Sequence, residues 1–279
     1  MGKISRTWSL MSECWQVLKQ DKSLVVLPLI SGFCCLLLLA SFAIPIYATG
    51  AWRPPARDAE TQRQFIYYGT LFLFYFCNYL IVVFFNAAVV ACAAGRMSGG
   101  DPTVFDGLRT AAARLPVIVG WALVSATVGL LLRIIEERSS KIGQIVAALL
   151  GMAWTLVSFL VVPILVIENK GPIAALKDST ALLKRTWGEQ VVSNFSFGTI
   201  FFLLGLPAFI LVGVGVYFVS TGSTAAMIAC IGIAVVYLII LGLIQSTLQS
   251  IFQTALYLYA RDGQVPQGFQ ADVLGSALR

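Results

Sequence analysis

Five long stretches of the sequence contain no Asp, Glu, Lys or Arg, and this feature limits the fold more than any other. They are 24–48, 66–95, 115–132, 142–167 and 191–260. A helix needs about 20 apolar residues to cross a hydrocarbon core of about 30 Å. The first four stretches each predict one span, and the fifth predicts two spans joined by the polar segment 220–224. The sequence therefore predicts an all-α, polytopic membrane protein with six transmembrane helices.

Composition supports this class of protein. Of the 279 residues, 58% are hydrophobic and 11% are charged, whereas a soluble protein carries about 25% charged residues. A larger hydrophobic core cannot explain the low fraction of charged residues, because a soluble domain must still cover its surface with polar groups. The sequence also has no histidine, the most common general base and a frequent zinc ligand. A soluble protein and a histidine-dependent enzyme are both excluded.

Basic residues are distributed unequally between the two sides of the predicted topology. One side holds the N-terminal segment, loops 96–114 and 168–190 and the C-terminal tail, and it carries thirteen Lys and Arg residues against six on the other side. Cytoplasmic loops are enriched in Lys and Arg. We therefore expect a multi-pass protein of the cell inner (plasma) membrane with both termini in the cytoplasm. A basic rim beside anionic headgroups explains the net charge of +6 without a nucleic-acid partner.

Three segments on the expected cytoplasmic side have the spacing of amphipathic helices that lie on a membrane surface. Their apolar stripes are Trp8, Met11, Trp15 and Leu18; Phe105, Leu108, Ala112 and Leu115; and Ile173, Leu176, Leu183 and Trp187. We expect Asp101 to cap the second helix and Pro102 to be its first residue. The tryptophans Trp8, Trp15 and Trp187 are the expected interfacial anchors.

Each of these segments precedes a pair of spans. A single membrane domain, 1–279, would then contain the pseudo-repeat units 1–95, 96–170 and 171–262. Each unit would be an interfacial helix followed by a helical hairpin. The units share a pattern and not a clear sequence identity, so the alternative is three basic amphipathic loops without a repeat.

Four stretches of the sequence are distinctive: "WQVLKQDKSLVVLPLISG", "FFNAAVVACAAGRMSGGDPTVFDGLRTA", "GWALVSATVGLLLRIIEER" and "VVPILVIENKGPIAALKDSTALLKRTWGEQVVSNF". Over residues from about 8 to 260, the chain resembles a family of uncharacterised prokaryotic six-helix membrane proteins that share a domain of unknown function. The last stretch is also similar, more loosely, to membrane domains found beside glycerophosphodiester phosphodiesterases, although that catalytic domain is not in this sequence. The resemblance implies a compact six-helix fold and carries no activity or site residues.

The sequence contains few of the motifs and residue pairs that enzymes use for catalysis. It contains no nucleophile elbow, Walker A loop, dinucleotide fingerprint or H-E-x-x-H motif. The adjacent Glu136 and Glu137 lie within helical reach of Arg133, which is typical of a self-neutralised helix end. The six cysteines form no C-x-x-C pair and read as reduced apolar side chains. We expect no catalytic residues, no cofactor and no metal.

No ionisable carboxylate or amine lies within a predicted span, which argues against a proton-coupled transporter. Backbone carbonyls at a broken helix could still hold an ion. Four prolines lie within or near span ends and could produce such breaks: Pro28, Pro45, Pro163 and Pro207. Prolines are also common in ordinary transmembrane helices, so this alternative stays open.

The last predicted span carries a stripe of amides and hydroxyls. Its members are Gln245, Ser246, Gln249, Ser250 and Gln253, and we expect Asn86 and Asn194 at a similar depth in the cytoplasmic half of the hydrocarbon. Amides facing lipid tails are costly, so these groups must face protein or water. One explanation is interhelical hydrogen bonding. The other is a cytoplasm-facing polar cavity for a neutral or zwitterionic ligand or a lipid headgroup.

The leading hypothesis is a non-enzymatic membrane protein that binds or passes a small solute or lipid through this cavity. Pore, carrier and lipid binder remain alternatives. A second hypothesis is a membrane scaffold or assembly partner that uses its interfacial helices, and a membrane lipid hydrolase is disfavoured because no nucleophile–base pair is visible. Membrane lipids are the expected partners. Small-residue pairs such as Ala147/Gly151 and Ala225/Ala229 leave a homo-oligomer or a membrane-protein partner open.

Overall fold

The computed structural model describes residues 3–49, 61–186, 195–220, 223–263 and 265–270. Within these ranges every regular element is helical: α1 (Lys3–Gln20), a 3₁₀ turn (Lys22–Val25), α2 (Val26–Thr49), α3 (Thr61–Met97), α4 (Val104–Ala113), α5 (Leu115–Arg138), α6 (Lys141–Val157), α7 (Val161–Glu168), α8 (Pro172–Thr186), α9 (Phe195–Ser220) and α10 (Thr224–Asp262). Six helical segments of the described chain are long and apolar enough to cross a membrane, and they lie where the uncharged stretches predict them. The all-α, six-span fold class is confirmed.

The helices form two compact units. The central unit contains Val26–Arg185, and the terminal unit contains Met1–Val25 together with Thr186–Arg279. The first two predicted hairpins thus belong to one unit, while the third hairpin belongs to the other with α1. The division into three pseudo-repeat units stays a prediction.

Helix α3 is at the centre of the central unit, where it contacts α2, α4, α5 and α7. The close approach of α4 depends on a glycine: a Cβ at Gly107 would lie 2.7 Å from the carbonyl oxygen of Ala88 and would also collide with Cys92. In the contact with α5, a Cβ at Gly129 would lie at an ordinary van der Waals distance from the Tyr79 ring (3.5 Å). Small residues therefore set how closely these helices pack, as is common between transmembrane helices.

The fourth span is broken into α6 and α7. Pro163 is the third residue of α7, where its missing N–H costs no helical hydrogen bond. Ser179 of α8 repairs the break, because its Oγ accepts from the N–H of Leu160 (3.2 Å) and donates to the carbonyl of Val157 (2.7 Å). The described fourth span thus has a helix break next to Pro163, whereas α2 and α9 continue through Pro45 and Pro207, and an ion held at such a break stays a prediction.

In the terminal unit, α9 and α10 form an antiparallel hairpin. The Tyr237 hydroxyl donates to the carbonyl of Leu204 (2.6 Å), and a Cβ at Gly215 would lie 3.3 Å from Cys230 Cβ. Helix α1 contacts both helices of the hairpin. Its buried face consists of Leu10, Glu13, Cys14, Val17 and Leu18. The apolar first half of α10 is mostly exposed, whereas Thr247–Tyr257 is buried at every position except Gln249.

The expected start of the second amphipathic helix is wrong by two residues. Thr103 is the N-cap: its Oγ1 accepts from the Asp106 N–H (3.3 Å), and Asp106 accepts from the Thr103 N–H (2.9 Å) in a capping box. The Thr103 hydroxyl (2.6 Å) and the Thr103 N–H both donate to the Asp106 carboxylate, and these two bonds hold the pKa of that carboxyl below its usual value. Asp101 instead forms an ion pair with Arg96 (2.6 Å). The reciprocal Thr103–Asp106 pair satisfies two free backbone donors, which Asp101 could not do from outside the first turn.

The apolar stripes predicted for α1, α4 and α8 are exposed in part: Leu18 and Leu183 are buried, whereas the other described stripe residues are half-buried or exposed. Phe105 is 72% exposed and Ile173 is 55% exposed, and Trp15 is exposed as well. The faces packed on protein carry smaller residues, namely Cys14 and Val17 in α1, Gly107 and Ala111 in α4, and Ala175, Ser179 and Leu183 in α8. Some large apolar side chains of these helices, such as Phe105 and Ile173, therefore lie away from the faces packed on protein.

Candidate functional site

The predicted polar stripe is on a continuous helix, and its five residues differ widely in exposure. Ser246 and Gln249 are exposed, Gln245 is half-buried, and Ser250 and Gln253 are buried. Because residues three, four and seven positions apart share a helical face, Ser246, Gln249 and Gln253 form one line from the surface toward the protein interior. Gly242 extends the line by one turn, and a Cβ there would meet nothing within 4 Å. The exposed end of the stripe is therefore open.

The pairing of α9 with α10 determines which residues of α9 lie level with the stripe. Gly205 lies beside Leu238 and Leu241, so continuing the antiparallel register places Ser246 level with Gly198. Ser246 also lies 22 residues after Thr224, the first residue of α10, which is about 33 Å along the helix. The 39 residues of α10 extend about 58 Å, nearly twice the hydrocarbon thickness. A span that begins at the start of α10 would end near Ser246, and the expected position of the stripe in the cytoplasmic half of the hydrocarbon stays a prediction.

Hydroxyl groups in and beside the stripe donate hydrogen bonds to backbone carbonyls of their own helix. Ser250 donates to the carbonyl of Ser246 (2.9 Å), Thr247 to that of Leu243 (2.8 Å) and Thr254 to that of Ser250 (2.7 Å). Such bonds to the preceding turn satisfy a hydroxyl donor without a second helix. Gln249 has a planar amide on a longer side chain, so it reaches farther from the helix than these hydroxyls.

The remaining predicted site residues fall in different places. Asn86 is half-buried in α3 of the central unit. Asn194, Trp187 and the side chain of Trp8 lie outside the described residues. Trp15 is 38% exposed, and the Lys19 ammonium lies 5.9 Å from its ring centroid. The structure therefore describes an α10 site made of Gln245, Ser246, Gln249, Ser250 and Gln253 alone.

The adjacent glutamates form the ion pairs expected at a self-neutralised helix end. Arg133 contacts Glu136 (3.2 Å) and Glu137 (2.7 Å). Sequence reasoning missed the second helix in this cluster: the Tyr67 hydroxyl donates to Glu137 (3.1 Å), and Arg138 donates to the Gln64 side chain (2.9 Å). These ion pairs and hydrogen bonds hold α3 against α5, and both carboxylates are already bonded within the cluster.

Sequence reasoning also missed Ser179, which is fully buried and joins α8 to the break in the fourth span. Its signal was weak, because a serine among apolar residues of an amphipathic helix has no characteristic spacing. Pro163 was the available clue that backbone groups nearby would need a partner from another helix.

A comparison with known protein families identifies the family of this chain. The model for a "Family of unknown function (DUF6159)" matches residues 65–268, which includes five of the six spans and the whole α10 site. The chain belongs to this family. The membership agrees with the resemblance to an uncharacterised membrane domain and gives no support to the looser likeness to phosphodiesterase-associated domains. No curated protein matches the chain.

Proposed function

We propose that this family member binds membrane lipids and holds the headgroup of one at the exposed end of the α10 site. The observation that carries the proposal is the exposure of Ser246 and Gln249 directly after the exposed apolar first half of α10. A lipid beside α10 has its acyl chains along the exposed apolar half of the helix and its headgroup at this level. Both parts of one ligand thus have a matching surface on one helix.

The local geometry supports a lipid over a freely dissolved solute. Gly242 leaves open space one turn before Ser246, next to the exposed Ile239. An acyl chain fills such a space, whereas a small polar solute gains nothing from it. The exposed first half of α10 continues this apolar surface without a carboxylate or an amine.

The chemistry of the site favours a headgroup that accepts hydrogen bonds. The Gln249 amide and the Ser246 hydroxyl both donate, and both also accept. A phosphodiester offers acceptor oxygens to these donors, and the ethanolamine of phosphatidylethanolamine offers a donor to the amide oxygen. The site itself is uncharged, so a zwitterionic headgroup fits it better than one with excess charge.

The proposal is tested by measuring lipid binding to the Ser246→Ala/Gln249→Leu double variant. Binding of phosphatidylethanolamine to the full chain in detergent is followed by native mass spectrometry. The double variant is expected to bind about tenfold more weakly, since two hydrogen bonds of about 0.5–1.5 kcal/mol each are removed. Both positions are exposed, so the fold is expected to survive the change.

Ser140 and Gln144 provide a matched control. They are exposed residues at the start of α6, and Ser140 makes no side-chain capping bond. The Ser140→Ala/Gln144→Leu variant undergoes the same chemical change and is expected to bind the lipid as the wild type does. Equal binding by the wild type and the α10 variant contradicts the proposed function.

A further inference from the structure

The chain after α10 turns back onto α1. Gly263 ends α10 in the left-handed conformation, and its N–H donates to the carbonyl of Tyr259 (2.9 Å). In the following segment, 265–270, the side chains of Pro266 and Phe269 are buried. Gly268 has a φ of +90°, and a Cβ there would lie 3.2 Å from Val17 Cγ2 of α1. We call residues 265–270 the strap.

The strap meets a buried carboxylate. Glu13 of α1 is 7% exposed, and its Oε1 accepts from the backbone N–H of Gln270 (3.3 Å). Its Oε2 is buried and has no hydrogen-bond partner among the described residues. An ionised carboxylate buried with one weak partner is costly, whereas the protonated group carries no net charge. Ionisation of Glu13 therefore destabilises the closed position of the strap, because water reaches the carboxylate when the strap is open.

The nearby charged groups do not neutralise Glu13. At the end of α10, Arg261 pairs with Asp262 (2.6 Å), and Asp21 before the 3₁₀ turn accepts from the Ser23 N–H (3.1 Å). The other titratable groups of α1 and the elements packed on it are Lys3, Arg6, Cys14, Lys19, Lys22, Tyr217, Cys230, Tyr237, Tyr257 and Tyr259. Residues 265–270 contain no titratable side chain. The Glu13 carboxylate therefore lacks a cation partner in the described terminal unit.

We propose that the strap closes over α1 when Glu13 is protonated and is released when Glu13 ionises. Burial raises the pKa of Glu13 above its ordinary value, and the bond from Gln270 only partly offsets this. A carboxyl whose pKa is raised in the closed state binds its proton more tightly there, so closure is favoured at low pH. Closure weakens as the pH rises from the ordinary pKa of glutamate to the raised value.

Hydrogen exchange of the full chain in detergent tests the proposal. Protection of the amides in 265–270 is compared between the wild type and Glu13→Gln from pH 4 to pH 8. The ratio at each pH cancels the intrinsic exchange rate. The wild-type protection is expected to fall relative to the variant as the pH rises, by about tenfold for each unit of pKa difference between the closed and open states. Glu136→Gln, which removes an exposed carboxylate, is expected to follow the wild type.

Gly268→Ala provides a second test that does not involve titration. Its side chain would press on Val17 in a backbone conformation that alanine rarely adopts, so it is expected to lower protection of the strap at every pH. Protection of Ile251 in α10 reports whether the terminal unit has stayed folded. A constant ratio between wild type and Glu13→Gln across the pH range overturns the proposal, as does full protection of the strap in Gly268→Ala.

Discussion

Ser179 holds together the two halves of the fourth span. Its hydroxyl occupies both the N–H of Leu160 and the carbonyl of Val157, and the side chain is fully buried. Ser179→Ala leaves both backbone groups without this partner, at a cost of about 1–3 kcal/mol for each. We expect the variant to unfold at a clearly lower temperature than the wild type, as measured by circular dichroism in the same detergent.

Ser98→Ala is the control for this substitution. The Ser98 hydroxyl is exposed and donates to the carbonyl of Ala94 in its own helix. Surface substitutions of this kind change stability by about 0.5 kcal/mol or less. Equal unfolding temperatures for the two variants would mean that water or a backbone rearrangement replaces Ser179 at the break.

The three amphipathic helices repeat one arrangement over three consecutive residues. In α8, Ile173 and Ala174 are exposed and Ala175 is buried. The same order occurs at 15–17 in α1 and at 105–107 in α4, with a bulky apolar residue first and a buried residue third. Consecutive side chains are about 100° apart around a helix. Each helix therefore has three different faces at these positions. We infer that they face lipid, water and protein.

A pair of spin labels tests this arrangement in α8. In a background with the six native cysteines replaced, Ile173→Cys and Ala174→Cys are labelled in turn and studied in lipid bilayers. The label at 173 is expected to be more accessible to oxygen, which concentrates in lipid. The label at 174 is expected to be more accessible to a water-soluble nickel chelate.

Equal accessibility of the two labels would show that α8 does not lie on the membrane surface. It would also weaken the scaffold hypothesis, which relies on exposed apolar side chains of the amphipathic helices. A deletion of residues 1–22 would be a poor substitute, because it removes Cys14 and Val17 from the buried part of the terminal unit.

Across the whole chain, the sequence predicted the spans well and the buried faces poorly. A long uncharged stretch signals a span through composition alone, so α2, α3 and α5 lie where they were expected. Hydrophobicity does not distinguish the two sides of a helix in lipid, because lipid tails are as apolar as leucine. Close packing selects small residues instead, and Gly107 therefore lies in the α3–α4 contact while Phe105 is exposed.

The candidate site was predictable in kind, and its depth in a membrane stays a prediction. Glutamines at 245, 249 and 253 are visible in the sequence as a polar face. The uncharged stretch continues to Ala260, however, and composition does not show where a 39-residue helix leaves the bilayer. The alignment of Ser246 with Gly198 follows from the α9–α10 register, which depends on contacts between residues far apart in sequence.

The charge distribution of the whole chain gives a final prediction about its orientation. Thirteen basic residues against six place the 98–103 loop in the cytoplasm and the turn at 139–140 on the opposite side. Single cysteines are introduced as Ser98→Cys and Ser140→Cys, both at exposed positions, in a background without the native cysteines. In right-side-out vesicles, an impermeant maleimide is expected to label position 140 and to spare position 98. Inside-out vesicles should give the opposite pattern, and labelling of position 98 alone in right-side-out vesicles would reverse the orientation and move the α10 site to the outer leaflet.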